Sequence, residues 1–227
     1  MDAERVEWFY GTFSSLHDLV YGPLFHQSRR YAVNVLDAGE GERVLDVGVG
    51  TGLNLPHFPK SCQIVGIDFC APMLARAKNR LARRQMTNVS LLRMDAMRMT
   101  FADNTFDSVF AGMLITTVSD PDQVISEIIR VCKPGGKIVM FNHFQNRNRF
   151  ISAFEKVFSP VGKRLGFCPD LELGGILEGK PLMVTEKKSV KPLNLWKVVT
   201  CINKKDIASN GHGNGNGNGN GHGRIQP

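Results

Sequence analysis

The chain has 227 residues, 42% of them hydrophobic, and a formal net charge of +7, which predicts a soluble globular protein of one domain with a real core. Its longest apolar runs, such as IVMF at 138–141, are too short to cross a bilayer, and the acid-bearing start MDAERVEWFY does not read as a secretory leader. Five scattered cysteines without a CxxC pair argue against a disulfide framework and a zinc site, and for a reducing cytoplasm.

Charge divides unevenly. Residues 1–132 hold 13 Lys and Arg against 15 Asp and Glu (net −2), whereas residues 133–205 hold 14 against 5 (net +9). A basic C-terminal third fits nucleic acid, a membrane surface or a phosphorylated substrate, and equally a solubilising surface.

In chain order, two helical segments come first. Val6, Phe9, Tyr10, Phe13, Leu16, His17 and Val20 share one stripe. Gly22-Pro23 breaks the chain, and a second helix is expected from about Leu24 to Leu36, with Arg29 and Arg30 inside it. Residues 1–38 are therefore expected to form an N-terminal helical cap. From 43 onward, RVLDVGV, QIVGIDF, VSLLRM, FDSVFAGML and KIVMFNHF read as buried strands. PMLARAKNRLARRQ and PDQVISEIIRVC between them carry helical spacing. Such alternation predicts an α/β, doubly wound, mostly parallel sheet with helices on both faces. PLMVTEKKSV and LWKVVTCINK follow without an intervening helix and predict a terminal antiparallel hairpin around KPLN. The main domain is placed at 39–205. The Asn/Gly-rich stretch from 206 to 227 has almost no apolar area and is expected to be a disordered tail.

The glycine-rich turn VLDVGVGTG follows the first strand, where an open α/β sheet binds its ligands. Asp46 precedes Gly48, Gly50 and Gly52 at alternate positions, which is not the GxGxxG spacing of dinucleotide sites. A carboxylate at the mouth of the loop suits a cationic ligand. Asp68 and Asp95 close the next two strands, with Asp68 where a ribose diol would lie. VLDVGVGTG, GIDF, MDAM and KPGGK, in that order, resemble the class I S-adenosylmethionine-dependent methyltransferases over roughly residues 43–204. The resemblance implies a seven-stranded, Rossmann-like sheet with its last strand antiparallel, and S-adenosylmethionine as cofactor, leaving S-adenosylhomocysteine. It further implies that Asp46 and the loop glycines line the methionine part and that Asp68 bonds the ribose. Phe69 and Met73 would flank the adenine, with Asp95 near its exocyclic amine and a backbone N–H from Ala96. No metal is expected.

The acceptor is set by the additions to the sheet. YGTFSSLHDLVYGPLFHQSRR resembles the cap of the ubiquinone and menaquinone C-methyltransferases. MDAERVEWFY, NHFQNRNRF and LGFCPDL most resemble bacterial phosphatidylethanolamine N-methyltransferases, with His17-Asp18 where that cap usually carries Tyr-Asp. The resemblance implies a phospholipid substrate. An ethanolamine ammonium must first lose a proton, for which Tyr10, His17, Tyr21 and His143 are candidates. Aromatic faces at Tyr10, Phe13 and Tyr21 could steady the developing quaternary ammonium. Arg29, Arg147 and Arg149 are the candidate phosphodiester ligands.

RNRFISAFEKVFSPVGKRLGF combines apolar residues with basic flanks, as an interfacial helix does, although a helix in that place usually covers the sheet. RAKNRLARR at 76–84 offers a second basic surface. A peripheral protein on the inner face of an anionic membrane is the expectation. The alternatives are a quinone-ring C-methyltransferase, another small-molecule methyltransferase, and a non-catalytic module holding RNA. No RNA-binding signature supports the last, so no nucleic-acid partner is expected.

Overall fold

The computed structural model describes residues 18, 22–143, 173–191, 194 and 196–205. The first helix, α1, runs over 22–36, with Pro23 in its first turn, where a missing N–H costs nothing. Then come β1 (Arg43–Val47), a 3-10 turn (Leu55–His57), β2 (Gln63–Asp68), α2 (Ala71–Arg84) and β3 (Val89–Arg93). β4 (Phe106–Gly112), α3 (Pro121–Val131) and β5 (Cys132–His143) follow, then a short α4 (Leu173–Leu177), β6 (Leu182–Val190) and β7 (Trp196–Asn203).

All the strands form one seven-stranded sheet in the order β3-β2-β1-β4-β5-β7-β6. β1 to β5 are parallel neighbours, whereas β7 runs antiparallel to both β5 and β6. The expected class of fold and its terminal hairpin are both present. Strand order reverses at β1, with β2 on one side and β4 on the other, so the carboxyl end of β1 is the switch point where a crevice opens.

The pleat sends alternate side chains to opposite faces. On β1, Leu45 and Val47 enter the cluster covered by α3. Val44 enters the opposite cluster, with Phe25, Ala32, Val33 and Leu36 of α1. Those four are at most 2% exposed, each side chain gaining roughly 1.5–3 kcal/mol from burial, less for alanine. Helix α1 is thus part of the core of the sheet. α3 starts cleanly because Asp120 accepts a hydrogen bond from the Gln123 N–H at 3.0 Å and Pro121 follows it. α2 stops at Gln85, which takes the left-handed conformation (φ 51°).

Candidate active site

A cavity of about 650 Å³ opens at the carboxyl ends of β1, β2 and β4, the size range of small-molecule sites. Its wall includes Gly48 and Gly50 at one end, Asp68 and Phe69 in the middle, and Asp95 and Ala96 at the other. Met73 and Arg29 also reach it. The sheet brings these together because each follows the end of a parallel strand or packs directly over one.

The loop after β1 is shaped for close approach. Gly48 has φ 71°, and a Cβ there would lie 2.7 Å from Leu114 Cδ1. Gly50 has φ 55°, and a Cβ there would meet no side chain within 4 Å, so its bare backbone faces open space. Both need the left-handed region that only glycine enters freely. Gly52 plays another part: it is not in the cavity wall, and a Cβ there would meet Leu55 and Ala77 at 3.0 and 3.3 Å. It lets α2 come close to the loop.

Asp68 locks this loop. Its Oδ2 accepts the Gly50 N–H at 2.8 Å and its Oδ1 the Cys70 N–H at 2.9 Å. A carboxylate held this way in the cavity wall, with acceptor capacity on two oxygens, suits a vicinal diol. Asp95 is braced likewise, its Oδ1 accepting the Met97 N–H at 2.9 Å. Arg93 donates Nε–H to the Phe69 carbonyl at 2.9 Å, fixing the segment that presents the Phe69 ring.

Asp46 sits behind the loop, outside the wall of the cavity and fully buried. It is on the same pleat face as Val44, and α1 covers that face with its stripe at 25, 29, 32, 33 and 36. Arg29 falls on the stripe and is 5% exposed. Its Nη1 donates to Asn54 Oδ1 at 2.8 Å and its Nη2 points at Met113 Sδ at 3.4 Å. Burial lowers its pKa to about 10 despite the carboxylates of Asp46 and Asp18. Burial likewise raises Asp46 to about 8, with Arg29 and Asn54 opposing the rise and Asp68 adding to it. Among the described residues neither Asp46 oxygen has a hydrogen-bond partner of good geometry, and Arg29 Nε has none either. Buried polar atoms are normally paired. A buried carboxyl and a guanidinium with polar atoms left over fit the tail of an amino acid, which brings both an ammonium and a carboxylate. Glycine loop, diol-facing carboxylate and this pair together fit S-adenosylmethionine.

Asp18 is not among the expected site residues, yet it ties the cap to the loop. Its Oδ1 accepts from Thr51 Oγ1 at 2.5 Å and its Oδ2 from Arg80 at 2.8 Å and Arg76 at 3.4 Å. Arg80 also donates to the Thr51 carbonyl at 2.9 Å. Asn54 and Met113, the partners of Arg29, are likewise missing from the sequence-based expectations. The His17-Asp18 pair is a signal for Asp18; nothing in the chain order marks Asn54 or Met113.

His143 ends β5 but is not in the cavity wall. It is 7% exposed and packs edge-on against Trp196, ring centroids 5.2 Å apart. Burial, then Lys197, lowers its pKa. Tyr10, His17, Tyr21, Arg147 and Arg149 lie outside the described residues, as do the stretch from 147 to 167 expected to face the membrane and the tail. Among the described residues no helix is long and apolar enough to span a membrane, and no cluster of His, Cys, Asp or Glu could hold a metal ion.

Residues 45–140 match the methyltransferase domain family. A phosphatidylethanolamine N-methyltransferase of Cereibacter sphaeroides is 36% identical over 197 residues, covering 86% of this chain and 96% of that protein. A demethylmenaquinone methyltransferase of Shouchella clausii is 40% identical over 145 residues, 62% of this chain and 60% of that protein. Among solved structures, an S-adenosylmethionine-dependent methyltransferase from Aquifex aeolicus superposes with a TM-score of 0.65 at 21% identity, over 89% of this chain and 99% of that one.

Proposed function

This chain belongs to the class I S-adenosylmethionine-dependent methyltransferases, and from that premise we propose that it methylates the amine of phosphatidylethanolamine and of its methylated intermediates, toward phosphatidylcholine, at a membrane surface. One observation carries the reading: the Cereibacter sphaeroides relative aligns over 96% of its length. The similarity therefore extends past the shared sheet into the segments where acceptors are chosen. A quinone-ring C-methyltransferase is the second reading, favoured by the 40% identity to the Shouchella clausii relative over a shorter span.

The bound cofactor supplies a methyl group on a sulfonium, open to in-line displacement. The protein's part is alignment and exclusion of water. Asp68 takes the ribose diol, Phe69 and Met73 flank the adenine, and Asp95 with the Ala96 N–H reads its edge. Arg29, which reaches the cavity, receives the carboxylate of the amino-acid tail, and Asp46 beside it draws the ammonium from behind the loop. This gives Arg29 a cofactor role in place of the expected phosphodiester contact, because it is buried beside Asp46. Arg147 and Arg149 remain as the phosphodiester ligands. Tyr10, His17 and Tyr21 take the ammonium proton and shelter the cationic product. His143 faces Trp196 rather than the cavity and is the weakest of the expected bases.

The test is incubation of purified protein with methyl-labelled cofactor and, separately, phosphatidylethanolamine in detergent micelles and a demethylated menaquinone. Label in the phospholipid and not in the quinone is expected. Label in the quinone alone transfers the assignment to the second reading.

A further inference from the structure

Outside the cofactor cavity, α2 presents a separate concavity of about 420 Å³ lined by Asp18, Arg76, Asn79, Arg80, Arg83 and Arg84. Residues 76, 80 and 84 follow each other at successive helical turns and 79 and 83 lie alongside, so one face of the helix carries four guanidinium groups. Among the described residues Asp18 is the single acid in the wall. It engages Arg80 and Arg76, whose side chains are 24% and 36% exposed. Arg83 and Arg84 have no ion-pair partner among the described residues. The positive field continues beyond the groove. His57 is held down at about pKa 4 chiefly by burial, and then by His26, Arg29, Arg30 and Arg84 around it. The rings of His26 and His57 lie 5.0 Å apart.

We propose that this arginine groove is a docking site for the phosphate of an anionic phospholipid headgroup, distinct from the site that takes the methyl acceptor. Guanidinium groups bind phosphate oxygens in pairs through their planar fork, and a four-arginine concavity with one acid is complementary to a headgroup that keeps its negative charge. Position supports a membrane over other polyanions. Asp18 joins the groove to Thr51 of the glycine loop, so a bilayer seated here lies beside the turn that lines the cofactor cavity. Single-stranded RNA is less well served among the described residues, none of which brings an aromatic ring to the groove on which a base could stack. The inference rests on the lipid reading above only for its choice of partner; the groove itself is independent of the acceptor.

The experiment is vesicle co-sedimentation of the full chain with Arg83→Gln/Arg84→Gln, the two arginines not tied to Asp18. Vesicles are neutral phosphatidylcholine alone, or the same with phosphatidylglycerol as about one lipid in three. Each arginine near an anionic leaflet contributes a factor of about five at low salt. The double variant is expected to lose roughly tenfold to thirtyfold in partitioning to anionic vesicles, with unchanged affinity for S-adenosylhomocysteine and an unchanged melting temperature. Lys187→Gln/Lys188→Gln, the same loss of charge on exposed β6, should retain near-normal binding. Equal losses in both variants, or no loss in the arginine variant, overturns the proposal, as does tighter capture of a short RNA through Arg83 and Arg84. Methylation of phosphatidylethanolamine in neutral micelles separates this outcome from the function. If the wild type fails there the lipid reading falls, whereas a working enzyme with unaltered vesicle binding in the variant removes only the groove.

Discussion

Asp46 is where the stability of the ligand-free fold and the needs of its ligand oppose each other. Burial raises its carboxyl to about 8, against about 3.9 in an unfolded chain. Between those values the folded protein keeps a proton that the unfolded chain has released. The contribution of Asp46 to stability is therefore complete below about pH 4, is lost as pH rises and levels off above about pH 8. Asp46→Asn replaces a protonated carboxyl with an amide of the same shape that does not titrate. At about pH 6 ionisation favours unfolded wild type by on the order of 3 kcal/mol, and the variant should recover up to that amount. His57 acts in the opposite sense. Its pKa is lowered to about 4, so its contribution grows as pH rises toward its ordinary value of about 6.5. The interval from about 6.5 to 8 therefore isolates Asp46, and the difference between the two proteins cancels His57 at any pH. Urea unfolding of ligand-free protein across that interval reads the slope. The same substitution removes the carboxyl that would ionise to pair with the ammonium of the cofactor, a hydrogen bond worth about 1.5–3 kcal/mol, so affinity for S-adenosylhomocysteine should fall roughly tenfold to hundredfold by calorimetry. A variant that unfolds more easily than wild type near neutrality, or that keeps the wild-type slope, refutes the burial argument. A stabler variant with full affinity refutes the role in the tail seat.

Asp68→Ala should weaken cofactor-product affinity by at least tenfold, since it removes both the diol acceptor and the Gly50 anchor; unchanged binding by calorimetry would contradict the ribose assignment. Gly48→Ala forces a side chain into φ 71° and within 2.7 Å of Leu114. It should cost about 1–2 kcal/mol of backbone energy beyond the clash, and adding Leu114→Ala should restore only the steric part, as read by thermal unfolding. Asp18→Asn weakens the tie between cap and loop. It should raise the KM for cofactor several-fold, while leaving the melting temperature nearly unchanged. Burial pushes the thiols of Cys132 and Cys201 up to about 12 and 11, so neither should react with a disulfide reagent near pH 8 until the protein is unfolded; rapid labelling of either in the native state would contradict the packing of β5 and β7.

The parts of this protein that are legible in the chain are those set by local pattern. Apolar β-branched runs of strand length, two amphipathic helices and a hairpin without an intervening helix lead directly to the observed sheet, because burial on a pleated surface demands that pattern wherever it occurs. The glycine turn and the acids that close strands are legible for the same reason, whereas Phe69, Met73 and Ala96 are implied only by the family resemblance. Gly48, Gly50, Asp68, Phe69, Met73, Asp95 and Ala96 all line the cavity, since parallel strands must deliver their carboxyl ends to one edge.

What the chain order could not decide is which side chains meet across elements. Asp46 faces α1 and not the cavity because the pleat puts it on the face of Val44, and Arg29 joins it because helical spacing places residue 29 on the buried stripe. Each pattern is visible alone, yet their meeting depends on how α1 lies over β1, set by packing of Phe25, Val33 and Leu36. The link from Asp18 to Thr51 and Arg80 spans 33 and 62 positions, and no local periodicity encodes such a contact. Local pattern determined the scaffold, and the motifs that resemble class I methyltransferases pointed to a seat for a sulfonium nucleoside; only the folded arrangement decided that a buried carboxyl and a guanidinium meet beneath it, because that pairing is a property of faces brought together and not of any one segment.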